Sequence, residues 1–86
     1  MHLSAVVRDR NMVLFMGDAN AVSSFNDQGP FDVLPMHENF ITIITKEVII
    51  YPPQGKEKHI PVASGVMMVN QNAVEVYIGI LERSKY

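Results

Sequence analysis

Apolar and polar positions alternate with a period of two along most of this 86-residue chain. The alternation is cleanest near the C-terminal end, where Val74, Val76, Ile78 and Ile80 share one side while Glu75, Tyr77 and Gly79 share the other. That is the pattern of a strand with one face buried. A second apolar run, Val66-Met67-Met68-Val69, precedes it, and Asn70-Gln71-Asn72 between the two suits the positive φ of a tight turn. Residues 66–80 therefore predict a β-hairpin. EVIIYPPQGKEKHIPVA repeats the design: Pro52, Pro53 and Gly55 interrupt two apolar segments, and proline cannot donate to a central ladder. A third hairpin is expected where HLSAVV and MVLFMG flank RDRN, because Asp9 and Asn11 favour turns through bonds to their own backbone. Asp18 to Asn26 then runs extended into a turn cluster ahead of GPFDVLPMHENFITII.

These segments add up to eight to ten short strands and no helix. Apolar residues at i, i+3, i+4 and i+7 are not sustained, and β-branched Val and Ile dominate the periodic runs. The expected fold is all-β, a single small β-sandwich of about ten short strands over residues 1–86, with 81–86 a short tail; a barrel is the neighbouring solution. One irregularity stands out. Phe40, Ile41, Ile43 and Ile44 are interleaved only with threonine, and residues 66–69 have no polar position at all. A single core buries one face of each strand, so the surplus is covered either by a bend of the neighbouring sheet or by another subunit. Six methionines fit a gap-filled core and, secondarily, an adaptable contact surface.

Composition narrows the function classes. With 48% hydrophobic and 19% charged residues the chain is far from the disordered class. The net charge is −2, and the bases are scattered, in no more than close pairs such as Arg8/Arg10 and Lys56/Lys58, so no nucleic-acid partner is expected. Without cysteine there is no disulfide, thiolate nucleophile or Cys-ligated zinc. No run approaches the roughly 20 apolar residues that span a bilayer, so direct membrane insertion is not expected.

Candidate chemistry is sparse. His2, His37 and His59 fall on three different segments without metal-motif spacing, and no serine sits in a G-x-S-x-G elbow. Asp27, Asp32 and Glu38 cluster in sequence near His37, a group able in principle to do acid–base work in a cleft, though turn chemistry is their ordinary role. No glycine-rich loop opens a helix, and the aromatics are not interleaved with bases. No catalytic, cofactor or metal residue is assigned, which points to a binding module.

The order of segments resembles the N-terminal domain of the epsilon subunit of F-type ATP synthases, over residues 2–80. The family pattern of a turn glycine, apolar residues, Pro-Gly-His and an apolar run reaching Thr is matched at Gly29, Phe31, Val33, Leu34, Pro35, His37, Ile41 and Thr42, and its later Ser-Gly-Gly at Ser64 and Gly65. Met36 replaces the usual Gly, Glu38-Asn39 the common Ala-Pro, Val66 the second Gly, and Pro30 an often acidic residue. The resemblance implies a non-catalytic sandwich at the foot of the central stalk, bound to the gamma subunit and touching the polar loops of the c-ring. It would be a peripheral part of a complex on the cytoplasmic face of a bacterial inner or plasma membrane, coupling proton or sodium flow to ATP synthesis. By that resemblance Arg8, Asp9, His37, Ile41, Thr42 and Ile43 lie toward gamma, and Pro30, Phe31 and Asp32 toward the c-ring. Self-association of the isolated domain is a further expectation. The family continues into two C-terminal helices; this sequence stops at GILERSKY, so ATP binding and inhibition are not carried over. The alternative is a stand-alone sandwich that binds a ligand or peptide, or a minor hydrolase built on His37 and Glu38.

Overall fold

The computed structural model describes residues 1–79, and among these every regular element is a strand. The seven are β1 (Leu3–Arg8), β2 (Val13–Ala19), β3 (Ala21–Asn26), β4 (Gly29–Val33), β5 (Phe40–Tyr51), β6 (Lys58–Asn70) and β7 (Ala73–Ile78). They form one sheet in the order β2-β1-β7-β6-β5-β3-β4, antiparallel except where β1 lies parallel to β7. The three hairpins read from the sequence are β1–β2, β5–β6 and β6–β7. Their turns use the anticipated residues: Asp9 Oδ1 accepts from the Asn11 and Met12 amides, and Gln71 and Asn72 both take positive φ, as a two-residue primed turn requires.

Seven strands appear where about ten short ones were expected, because β5 and β6 are 12 and 13 residues long and run unbroken through a bend. The ladder between them slips after Ile44↔Gly65 and resumes at Lys46↔Val62, so Ala63 and Ser64 stand against Thr45. Such a bulge bends a strand and adds twist without ending it. β3 slips against β5 at the same level, between Ser23 and Phe25. Ser24, 1% exposed, fills that gap by donating its hydroxyl to the Glu47 carbonyl at 2.7 Å.

The bend closes the sheet on a single core. Leu3, Ala5 and Val7 of β1, Val22 of β3, Val33 of β4, Ile44, Val48 and Ile50 of β5, Met67 and Val69 of β6, and Val74 and Val76 of β7 belong to one buried cluster. Val74 and Val76 thus occupy the buried side that the alternation assigned them, with Ile78 packed against it; Ile80, placed on the same side, and the tail at 81–86 lie outside the described residues. Pro61 sits within β6, but below Gly65 that strand pairs with β5 alone, so its missing donor falls on an edge.

Candidate functional site: an apolar outer face

β5, the strand with the surplus of apolar residues, alternates as the pleat requires, and the outcome inverts simple hydrophobic expectation. Thr42 points inward, where its hydroxyl accepts from Asn26 Nδ2 at 3.1 Å, while Ile41 and Ile43 point outward at 70% and 58% exposure. Cross-strand register extends this outer surface over five strands. One row runs Ile41, Met68, Glu75, Val6, Met16, and the next runs Ile43, Val66, Tyr77, Arg8, Val13. Met16 is 69% exposed, Val13 and Met68 slightly over a third. Ten positions therefore hold seven aliphatic or methionine side chains, one tyrosine and two charges. Apolar residues laid side by side on a solvent face are of the kind found at protein–protein, membrane or ligand interaction sites.

The residues assigned toward gamma divide in space. Arg8, Ile41 and Ile43 share this face; Arg8 stands in the Ile43 row, three ladders and so about 14 Å away. Asp9 lies in the β1–β2 turn beyond Arg8, its carboxyl held below the usual carboxylate range by the Asn11 and Met12 amides. Thr42 faces the other side of β5. His37 sits in the β4–β5 loop, at the end of the sandwich where Met36 and Asn39 bond to the β6–β7 turn, opposite to the Asp9 turn along β1. Its ring packs on Phe40 at 5.0 Å, and Nδ1 donates to the Glu38 backbone carbonyl at 2.8 Å. Its hydrogen-bond partner is that carbonyl and not the Glu38 carboxylate, so the pair forms no acid–base couple.

The residues assigned toward the c-ring lie together on β4, an edge strand. Pro30 and Asp32 are exposed, and Asp32 accepts a hydrogen bond from Ser23. Phe31 turns inward and meets Phe40 edge-on at 5.9 Å. Among the described residues, no group of three His, Asp or Glu is placed to hold a metal ion, and no helix is long and apolar enough to cross a membrane.

Sequence reasoning missed Val6, Val13, Met16 and Glu75 as members of the face. Val6, Val13 and Met16 reach it through the β1–β7 pairing, which joins strands over 60 residues apart, whereas Glu75 joins through the β6–β7 hairpin, on the side opposite the buried one, with only its place in the row unread. The departures from the family pattern also acquire geometry. Met36, in place of glycine, holds φ +73° with its amide bound to Asn72 Oδ1, and Val66, in place of the second glycine, lies in the outer row beside Ile43.

Fold and face together define a small all-β domain with an apolar outer face. The chain matches the family model of the ATP synthase delta/epsilon chain β-sandwich domain over residues 1–84, and it belongs to that family. It is similar to the ATP synthase epsilon chain of a Nitratiruptor species, at 33% identity over 61 residues, covering 70% of this chain and 47% of that one. It is also similar to the epsilon chain of Nitratidesulfovibrio vulgaris, at 29% identity over 85 residues, covering 99% and 62% respectively. The chain thus spans about half to three fifths of these curated relatives. Two solved structures share its fold: a chain of the Euglena gracilis mitochondrial ATP synthase, OSCP/F1/c-ring in rotational state 1, and one of the Tetrahymena thermophila mitochondrial ATP synthase central stalk and c-ring. The first has a TM-score of 0.82 at 15% identity, covering 90% of this chain and 50% of that one. The second has 0.75 at 8%, covering 99% and 75%. At these identities the likeness is one of fold.

Proposed function

We propose that this domain is a non-catalytic piece of the central-stalk rotor of an F-type ATP synthase, joining the gamma subunit to the c-ring. The observation that carries the reading is the five-strand outer face, with Ile41 and Ile43 exposed at its margin. A monomer gains nothing by presenting these side chains to water, whereas a permanent subunit interface needs such a patch. Arg8, Ile41 and Ile43 contact gamma in this reading. Asp9 fixes the turn that presents Arg8, and Thr42 and His37 hold β5 from its inner side and its end respectively. Pro30, Phe31 and Asp32, on the far edge of the sheet, stand toward the polar loops of the c-ring. The domain is then peripheral to the membrane, held there by its partners. A piece that transmits rotation must be stiff, and one continuous sheet closed on a close-packed aliphatic core supplies that.

The test is co-purification of the domain with the gamma subunit of its own synthase. Wild-type protein should be retained and Ile41→Lys and Ile43→Lys lost, while all three melt alike. Retention of both variants would place the interface on another surface.

A further inference from the structure

Glu75 lies midway along the first outer row, between Met68 of β6 and Val6 of β1, with Ile41 and Met16 beyond them. It is half-buried, and Tyr77 donates its hydroxyl to Oε1 at 2.7 Å. That bond fills one of about four acceptor positions on the carboxylate. Among the described residues the ion pairs are those of His59, so no cation of the described chain is paired with Glu75. Arg8 stands beside Tyr77 in the neighbouring row and is exposed. In the free domain water completes the carboxylate's hydrogen bonds. When a partner covers the apolar row that water is expelled, and a buried carboxylate left with one donor weakens the complex strongly.

We infer that the occupant of this face is an apolar surface of the gamma subunit that carries a lysine or arginine set against Glu75. This rests on the proposed docking of gamma and adds the charge code by which the partner is recognised. The Glu75–Tyr77 hydrogen bond orients the carboxylate toward the incoming cation and fixes both side chains before binding, which limits the ordering cost of association. The surrounding Met68, Val6, Ile41 and Met16 exclude water from the pair, the arrangement in which an interfacial ion pair contributes most.

The sign of one substitution decides the matter. Affinity for the purified gamma subunit is measured for wild type, Glu75→Gln, Glu75→Leu and Ile41→Lys, with melting curves to confirm that each folds. A cation opposite Glu75 predicts that Gln and Leu both weaken binding about tenfold or more, chiefly through faster dissociation, and that the loss is shared because each strands the partner's charge. If Glu75→Leu binds as tightly as wild type or tighter, the carboxylate has no cationic partner and the inference falls. The Glu75→Gln loss should persist in an Arg8→Gln background; its disappearance there would assign the cation to this chain and overturn the inference equally. Ile41→Lys separates the two levels: its loss of binding with Glu75→Leu unimpaired refutes the charge code alone, while normal binding by Ile41→Lys refutes the docking face on which it rests.

Discussion

Ser24 and Glu47 are joined by a hydrogen bond from the serine hydroxyl to the glutamate backbone carbonyl, 2.7 Å long, at the level where β3 slips against β5. The slip removes ladder partners from β5 on the inner side of its bend, and a buried hydroxyl supplies the missing donor. Ser24→Ala leaves that carbonyl unsatisfied and should cost about 1–3 kcal/mol. In urea unfolding the midpoint should fall with an unchanged slope, since the loss is of one bond and not of compactness. A midpoint equal to wild type would show that water reaches the carbonyl.

Gly65 is fixed by a close approach of two strands. A Cβ there would lie 2.7 Å from the Tyr77 carbonyl oxygen and 3.4 Å from Ile78 Cα, both backbone atoms that cannot swing aside. Gly65→Ala must separate β6 from β7 locally, at a cost of about 1–3 kcal/mol. Thermal melting should register it, and the Met68–Glu75 row should lose partner affinity as well, because its spacing depends on that ladder.

The two faces of the sheet give opposite responses to the same kind of insult. Val76 is fully buried, so Val76→Asp places an unpaired carboxylate in the core and should cost at least about 3 kcal/mol, a large share of a small domain's stability. Ile41→Lys and Ile43→Lys charge positions already in water and should change stability by no more than about 0.5 kcal/mol. Circular dichroism melts of the three variants check this directly. An insoluble Ile43→Lys protein would mean that the second row is covered within the domain.

His59 bridges two carboxylates: Nδ1 meets Glu47 Oε1 at 3.0 Å and Nε2 meets Glu57 Oε2 at 2.8 Å. The hydrogen bond to Glu47, then that to Glu57, raises the imidazole above its ordinary 6.5. A raised folded value means that the cation is favoured in the folded state. The stabilisation is therefore complete below pH 6.5 and fades as pH climbs through the raised value. The melting temperature should fall slightly from about pH 6 to about pH 8 in wild type at low salt. His59→Gln should flatten that slope, and so should salt, because the site is open to solvent.

The hairpins were legible because turn chemistry is local: Asn70-Gln71-Asn72, Pro52-Pro53-Gly55 and Asp9 each act on their own backbone. The strand count was not, because a bulge leaves the apolar pattern nearly intact. β5 keeps its inward positions in phase through the bend, at Ile44, Val48 and Ile50, while β6 records it only as a shift from Val62 to Gly65, Met67 and Val69. The surplus of apolar residues on β5 was visible as a surplus. Its direction was hidden, since alternation fixes two faces without saying which is buried, and here threonine went inward to Asn26 and isoleucine outward. The rest of the face depends on β1 pairing with β7, a relation no local pattern carries.

Met36 supplies the last test, since it occupies a left-handed conformation at φ +73° where the family pattern has glycine. An L-residue with a Cβ is strained there by about 1–2 kcal/mol. Its side chain is 75% exposed, so truncation forfeits little packing. Glycine relieves the strain but loses about 0.5–1 kcal/mol more conformational entropy on folding. Met36→Gly should therefore stabilise the domain by about 0.5–1 kcal/mol, provided the amide keeps its 2.7 Å bond to Asn72 Oδ1. A higher urea midpoint with unchanged slope is the expected result. Binding to gamma should be measured on the same protein, because strain held at an exposed apolar side chain is often kept for contact. If stability rises and affinity does not change, Met36 is a tolerated substitution; if affinity falls as stability rises, the β4–β5 loop belongs to the interface and extends the outer face around the end of the sandwich.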